Sequence, residues 1–353
     1  MRQTLPFVFA TLVPMGLVIV AACLGGWWCL LALLATSTFL QLLDLAHPAP
    51  RSDAPEGTEF PAGNGLLVMI SLGYLAAVGL AIDALLTGWG MRAFPQALAK
   101  LALFTACGFT LGQLCVPAAH ELIHRPRKGL VRLGQMIYIT LLFGHHASAH
   151  RLVHHIHVAT PLDPNSAPRG LGFWRFLPRA WIGSWQAGWQ AENRLRQRRA
   201  LPLWRTPYTA YLAGAALSLG LVGVLFGPWG IAIYLALCAH AQIQLLLADY
   251  IQHYGLRRVK REGRYEPVGP HHSWDACPPA SAFWMLNAPR HSDHHAHPSR
   301  PYAGLRMGTL TAQRPILPRS LPSMAVIALF PTLWRKIMDP RLDALDSRRR
   351  AQG

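Results

Sequence analysis

Apolar residues fall along this chain in uninterrupted blocks of about twenty, without the periodic polar face of an ordinary surface helix. A bilayer core of roughly 30 Å needs about 20 helical residues at about 1.5 Å of rise each. Six blocks approach or meet that length: residues 6–25, 27–43, 66–86, 97–119, 208–226 and 229–248. Gly25-Gly26 separates the first two and Gly227-Pro228 the last two, so each pair reads as an antiparallel hairpin. A shorter apolar segment, 130–144, is flanked by charge and reads as half-buried beneath the membrane surface. The stretch 324–334 is short and broken by Pro331, which suits an interfacial position. The pattern predicts an all-α integral membrane fold of six transmembrane helices with a cytoplasmic, histidine-rich cap built from residues 120–207 and 250–353. With no internal repeat and no polar region of domain size, residues 1–353 are expected to form one domain.

Composition agrees, with 52% apolar and 14% charged residues. A net charge of +17 raises the question of nucleic acid, and the placement of that charge excludes it. Lys and Arg crowd Arg2, Arg51, residues 121–207 and the chain after 250, whereas the opposite turns hold only Arg92. That asymmetry is the positive-inside rule, with both termini cytoplasmic. The run Arg194–Arg199 then reads as a solvated or headgroup-facing helix surface. The first block lacks a small-x-small exit and leads straight into a second span, so it is expected to be a retained anchor. Six cysteines form no CxxC pair, which leaves them as buried thiols and not as a thiolate metal site.

Seventeen histidines change the picture. The fourth block ends in AHELIH, setting His120 and His124 one turn apart on one helix face. The string HASAHRLVHHIH contributes His150, His154 and His155, DYIQHYG contributes His253, and APRHSDHHAHP contributes His291, His294 and His295. Each alone reads as an ordinary hydrogen-bonded imidazole. Nine gathered at one set of span ends do not, because histidine beside hydrocarbon is costly unless paired. Nine nitrogen ligands also exceed what one zinc ion takes, so two metals are expected. Imidazole suits iron, copper, zinc and nickel alike, and the metal stays open on these grounds. Glu121, Asp163, Asp249 and Asp293 are candidate carboxylates behind the ligands, and among the remaining histidines His145 and His271 are the expected additions to the site.

These motifs resemble the membrane alkane 1-monooxygenase family, relatives of the fatty-acid desaturases and hydroxylases. The resemblance also rests on VATPLDP at 158–164, IQHYGL at 251–256, GRYEPVGPHHSW at 263–274, RHSDHHAHPSR at 290–300 and MDP at 338–340. It implies a six-span bundle in a bacterial inner membrane, with two non-haem irons on the nine histidines. It further implies dioxygen as co-substrate, terminal hydroxylation of n-alkanes to primary alcohols, and electrons from rubredoxin and its reductase. No paired CxxC of a fused rubredoxin is present, so a separate donor is expected on the basic cap. Ala149 and Gln252 stand where the family usually has Glu, and Pro289 where it has Gln. Gln252 looks more like the xylene monooxygenase branch, which keeps methyl hydroxylation of alkylaromatics open beside fatty acyl hydroxylation or desaturation.

Two readings from other classes stay open at this point. HELIH matches a zinc protease with Glu121 as base, and histidines at span ends suit a metal transporter. For a hydrocarbon entering from the lipid phase, Ala35, Thr36 and Phe39 on the second span are the expected channel residues, with ordinary close helix packing as the competing account.

Overall fold

The computed structural model describes residues 4–60, 63–88, 90, 95–311 and 313–351; Arg2 and Arg92, which enter the charge argument, lie outside them. Among the described residues, five helical segments are long and apolar enough to cross a membrane. The first is α1 (Leu5–Leu24), and the second joins α2 (Trp27–Thr36) to α3 (Thr38–Ala46) across a break at Ser37. Next come α4 (Gly63–Thr87) and a segment made of α5 (Gln96–Thr110), a π-helical turn Leu111–Cys115 and α6 (Val116–Ile123). The fifth lies further along the chain, at Pro207–His253. Between them stand α7 (Lys128–Thr140), the short turns α8 (His146–Ala149) and α9 (His155–His157) around a second π-helical turn His150–His154, and the long α10 (Phe173–Arg198).

Two of the predicted blocks, 208–226 and 229–248, come out as one helical element, α11 (Pro207–His253), of 47 residues. Gly227 interrupts it with φ 67° and ψ −170°, a conformation that glycine adopts without penalty. The two limbs fold back on each other. Gly214, on the first limb, packs on Ile139, while Tyr234 and Gln242, on the second, donate to the carbonyls of Thr140 and Leu141. A straight helix would hold residues 214 and 234 about 30 Å apart, too far for both to reach one corner.

Outward-facing apolar side chains show what surrounds these helices. Val224 is 86% exposed and Trp229 77%, where a water-soluble protein would present charge. Several hydroxyls inside the long helices are satisfied locally. The hydroxyls of Thr11, Thr36, Ser71 and Thr110 each donate to the carbonyl four residues earlier, which lets them sit in hydrocarbon at little cost.

After α11 follow a small hairpin, β1 (Lys260–Arg261) with β2 (Arg264–Tyr265), then α12 (Pro279–Trp284), α13 (His291–Ala296), α14 (Leu321–Ala328) and α15 (Pro331–Arg350). The interfacial stretch expected at 324–334 is thus divided between α14 and the start of α15, and α14 packs on α11. The loop 47–60 is tied to the chain around 290–308: Arg290 bonds Asp53 at 2.6 Å and the carbonyl of Arg51 at 2.9 Å, and Asp53 also accepts from the backbone of Met307 and Gly308. These ties hold α13 against the end of the helix bundle where α6 and α11 finish.

Candidate metal centre

Four separate stretches bring the nine histidines together in two groups. His120, His124, His150, His155 and His294 form one; His154, His253, His291 and His295 form the other. Within each group one ring nitrogen per residue lies within 4.8 Å of all the others. The neighbouring pairs 154/155 and 294/295 each straddle the divide. Consecutive residues on a helix point about 100° apart, so an HH dipeptide serves two centres and not one.

Local backbone decides which histidine goes where. On α6 the ordinary i, i+4 spacing puts His120 and His124 on one face. At His150–His154 the chain makes a π turn, in which the His155 amide donates to the His150 carbonyl. That five-residue closure aligns His150 with His155, and it turns His154 toward the second group. On α13, His291 and His295 share a face by i, i+4 spacing while His294 faces the first group. Asp275 steadies this turn, accepting the Ser292 amide at 2.9 Å and the Arg314 guanidinium at 2.5 Å.

The rings present Nε2 inward. Nε2–Nε2 separations are 2.7 Å for His120/His150, 2.9 Å for His150/His155, and 3.1 Å for His155/His294, His253/His291 and His291/His295. Nε2 of both His124 and His154 is buried with no hydrogen-bond partner. Inward lone pairs at this density, including two orphaned ones, fit cations. Outer contacts fix the tautomers: His154 Nδ1 donates to Asp163 Oδ2 at 2.9 Å and His253 Nδ1 to the His272 carbonyl at 3.3 Å, leaving Nε2 free in each neutral ring. Burial holds His150, His155, His291, His294 and His295 well below the usual imidazole pKa, so they are neutral and able to bind metal. At His154 burial pulls the same way, but the adjoining Asp163 carboxylate outweighs it and the imidazole is held above its usual value.

The residues expected behind the ligands divide. Asp163 contacts His154 as described, and it also accepts from Ser166 at 2.7 Å. Asp249 bonds Asn165 at 2.6 Å and acts on His154 through its charge. The Glu121 carboxylate is engaged elsewhere, pairing with Arg125 at 2.9 Å and accepting the Tyr302 amide at 3.1 Å. That engagement removes the support for Glu121 as a protease base. Asp293 bonds Arg300, His297 and the Arg306 amide, also away from the groups. His145 lies near Ser184 and packs on Phe143 and Trp185, and His271 lies beside the Gln313 carbonyl, so neither joins the ligand set. His146, ranked below them from sequence, stands against His150 with ring centroids 5.1 Å apart.

A cavity with largely apolar walls reaches these rings. His120, His146, His150 and His291 line one part of it; Val116, Leu245, Ile251, Met285, Leu321 and Ala325 are among its walls. The expected channel residues are elsewhere. Ala35 and Phe39 border a separate groove with Pro6, Leu43 and Phe283, and the buried Thr36 hydroxyl donates to the Ala32 carbonyl. Ala149 packs on Gly188 of α10, and Gln252 donates to the Ala288 carbonyl at 3.0 Å while lining the cavity. The sequence reading also passed over Gln113 and Gln244, two cavity-lining amides inside long apolar helices.

An all-helical membrane protein that buries two converging histidine groups beside an apolar cavity has the build of a metal-dependent membrane oxidoreductase. Residues 95–327 match the fatty acid desaturase family. Alkane 1-monooxygenase 2 of Pseudomonas aeruginosa is 31% identical over 85% of this chain and 79% of its own length, and alkane 1-monooxygenase 1 of the same organism is 31% identical over 90% and 84%. The xylene/toluene monooxygenase hydroxylase component of Pseudomonas putida is 27% identical over 92% of this chain and 85% of its own. The chain belongs to the alkane 1-monooxygenase family and is a membrane monooxygenase.

Proposed function

We propose that this chain hydroxylates the terminal methyl group of n-alkanes to primary alcohols with dioxygen, at two non-haem irons held by the nine histidines. The observation that carries this reading is the division of nine imidazoles into a group of five and a group of four beside an apolar cavity. The alkane 1-monooxygenase relatives support the substrate class. His120, His124, His150, His155 and His294 would hold one ion, and His154, His253, His291 and His295 the other. When bound there, the irons supply the redox chemistry that splits dioxygen and breaks a saturated C–H bond, which offers nothing for an acid, base or nucleophile to act on.

The chain's own residues do the rest. Val116, Leu245, Ile251, Met285 and Leu321 give the substrate a dry apolar wall and leave its methyl end facing His120, His150 and His291. Asp163 and the His272 carbonyl keep the protons of His154 and His253 on Nδ1. Ala149 and Gly188 let α10 pack closely over the π turn that carries His150 and His154.

In this reading the limbs of α11 each cross the membrane, giving six crossings, and residues 1–353 act as one domain in a bacterial inner membrane with the metal end cytoplasmic. Electrons come from a separate rubredoxin, kept reduced by its reductase. The exposed cations Arg257, Lys260, Arg261 and Arg264 follow directly on His253 and suit an acidic donor, and Arg258 bonds the Ile156 carbonyl next to His155 at 2.9 Å.

The test is iron and zinc content per chain after anaerobic purification, then turnover of octane, hexadecane and xylene under ¹⁸O₂ with rubredoxin and its reductase. Two irons with labelled 1-alkanol uphold the proposal; one zinc and no labelled product overturn it. The xylene/toluene relative and Gln252 favour a second substrate class, and labelled methylbenzyl alcohol formed in preference to octanol would assign it.

A further inference from the structure

The cavity beside the histidines has a polar stretch of wall that a plain hydrocarbon does not require. Gln113, on the π turn between α5 and α6, donates through Nε2 to Gln244 Oε1 on the second limb of α11 at 3.1 Å. Trp284 Nε1 donates to Gln113 Oε1 at 3.2 Å. Gln244 Nε2 donates to the Gly108 carbonyl at 2.8 Å and lies 2.8 Å from His240 Nδ1. A carboxamide carries two N–H donors and two carbonyl lone pairs. These contacts leave one N–H and one lone pair of Gln113 and one lone pair of Gln244, and both residues line the cavity. Each amide atom already has one partner, and the spare N–H and lone pairs in an otherwise apolar wall are bonding capacity that a ligand able both to donate and to accept can use.

We infer that this amide pair receives the hydroxyl of a medium-chain primary alcohol, so that the enzyme also hydroxylates the far methyl of such an alcohol to an α,ω-diol. The inference rests on the monooxygenase reading above. A hydroxyl is the small group that accepts from one partner and donates to another at once. A carboxylate cannot donate, and among the described residues no Lys or Arg lines the cavity to hold its charge. Spacing sets the length. Gln113 stands seven residues before His120 and Gln244 nine before His253, about 10–14 Å along the helices, which an extended chain of roughly eight to eleven carbons spans at about 1.25 Å per carbon.

The reaction balances as HO–CH₂–R–CH₃ + O₂ + 2 e⁻ + 2 H⁺ giving HO–CH₂–R–CH₂–OH + H₂O. One terminal C–H bond is replaced by C–O, the O–O bond breaks, and the second oxygen leaves as water. The electrons come from the same electron-transfer protein that serves alkane hydroxylation.

Two measurements test this. In the first, iron-loaded protein in lipid nanodiscs is given decane, 1-decanol or 1-hexadecanol under ¹⁸O₂ with reduced rubredoxin. Singly labelled 1,10-decanediol is expected, with kcat/KM for decanol at least about fivefold above that for hexadecanol, and Gln113→Leu should lower the decanol-to-decane ratio about fivefold. In the second, decane and 1-decanol displace a fluorescent fatty-chain probe from metal-free protein. Wild-type protein should bind decanol about fivefold more tightly than decane, and Gln113→Leu should erase that margin. Equal binding of decane and decanol by the wild type overturns the inference without need of any variant, as does a margin that survives the substitution. Decane oxidised with no diol from decanol sinks this inference and leaves the proposed function standing. Loss of all oxidation by iron-loaded protein sinks the proposed function, and the binding comparison still decides the amide pair.

Discussion

Replacing Asp163 by Asn probes how the second histidine group is held. Asp163 is fully buried; its Oδ2 accepts from His154 Nδ1 at 2.9 Å and from Ser166 at 2.7 Å, and its Oδ1 from the Asn165 amide at 3.1 Å. Asn keeps the shape but has one acceptor oxygen for these three donors, and it removes the charge that raises the basicity of His154. Loss of such a carboxylate behind a ligating histidine typically weakens metal binding about 10–100-fold, or about 1.4–2.7 kcal/mol. The loss should fall on the site of His154, His253, His291 and His295. Anaerobic ferrous titration against a competing chelator should therefore show one site weakened and one near wild type. Metal-free protein supplies the pH signature. Asp163 is held below its usual value, since burial is outweighed by His154 and Ser166, so its stabilisation is present above about pH 4 and fades as pH falls through its lowered pKa. His154 is held above its usual value, so its share is full below about pH 6.5 and fades as pH rises through its raised pKa. The pair contributes most between those limits, and Asp163→Asn should flatten that part of the stability profile. Two irons bound with unchanged affinity, together with an unchanged pH profile, would refute the reasoning.

Three further substitutions separate sources of fold stability, each read as a thermal unfolding shift in detergent. Gly134→Ala would set a Cβ 2.7 Å from the Ala119 carbonyl and 2.8 Å from Leu122 Cβ, so α7 must move off α6 at a cost of about 1–3 kcal/mol; an unchanged melting temperature would contradict this packing. Asp44→Ala removes the acceptor for the Ala280 and Ser281 amides at the start of α12 and should cost about 0.5–2 kcal/mol, with Asp44→Asn retaining most of it. Gly227→Ala meets no atom within 4 Å, so its cost is the positive-φ backbone alone, about 1–3 kcal/mol, and a loss far above that would mean the bend is held by packing.

The long apolar blocks and the histidine clusters were legible because each is a dense local signal: charge-free runs for the helices, and repeated imidazole for the site. What escaped depends on contacts far apart in sequence. Glu121 sits inside HELIH and reads as part of the centre, yet Arg125 and the distant Tyr302 amide claim it. His145 precedes its neighbour by one residue, but that residue step turns it toward Ser184 and Trp185 and leaves His146 against His150. The cavity at the histidines depends on the same kind of distant contact. Ala35, Thr36 and Phe39 have the small and apolar character of a channel, while the cavity at the histidines is walled by α6, α11, the Met285–Ala288 turn and α14, which lie far apart in the sequence. Gln113 and Gln244 carried a usable signal, since an amide within an apolar run needs a partner: the run 97–119 holds Gln113, and the run 229–248 holds Gln242 and Gln244.

The π turn at His150–His154 makes a prediction that no reading of H-x3-HH by α-helical spacing would make. In an α-helix His150 and His154 would share a face and His155 would diverge; the π closure pairs His150 with His155 and sends His154 to the other group. His155→Ala and His154→Ala, one residue apart, should therefore damage different sites. His155→Ala should weaken iron at the group of five, which keeps four imidazoles. His154→Ala should weaken the group of four, which keeps three and loses its link to Asp163. The loss at the smaller group should be the greater, since each nitrogen is a larger share of its ligand set. Mössbauer spectra of ⁵⁷Fe-loaded variants, compared with His124→Ala for the first group and His253→Ala for the second, should match His155→Ala to His124→Ala and His154→Ala to His253→Ala. If His154→Ala instead matched His124→Ala, the segment would be an ordinary α-helix in the loaded enzyme, and the partition of ligands would have to be redrawn.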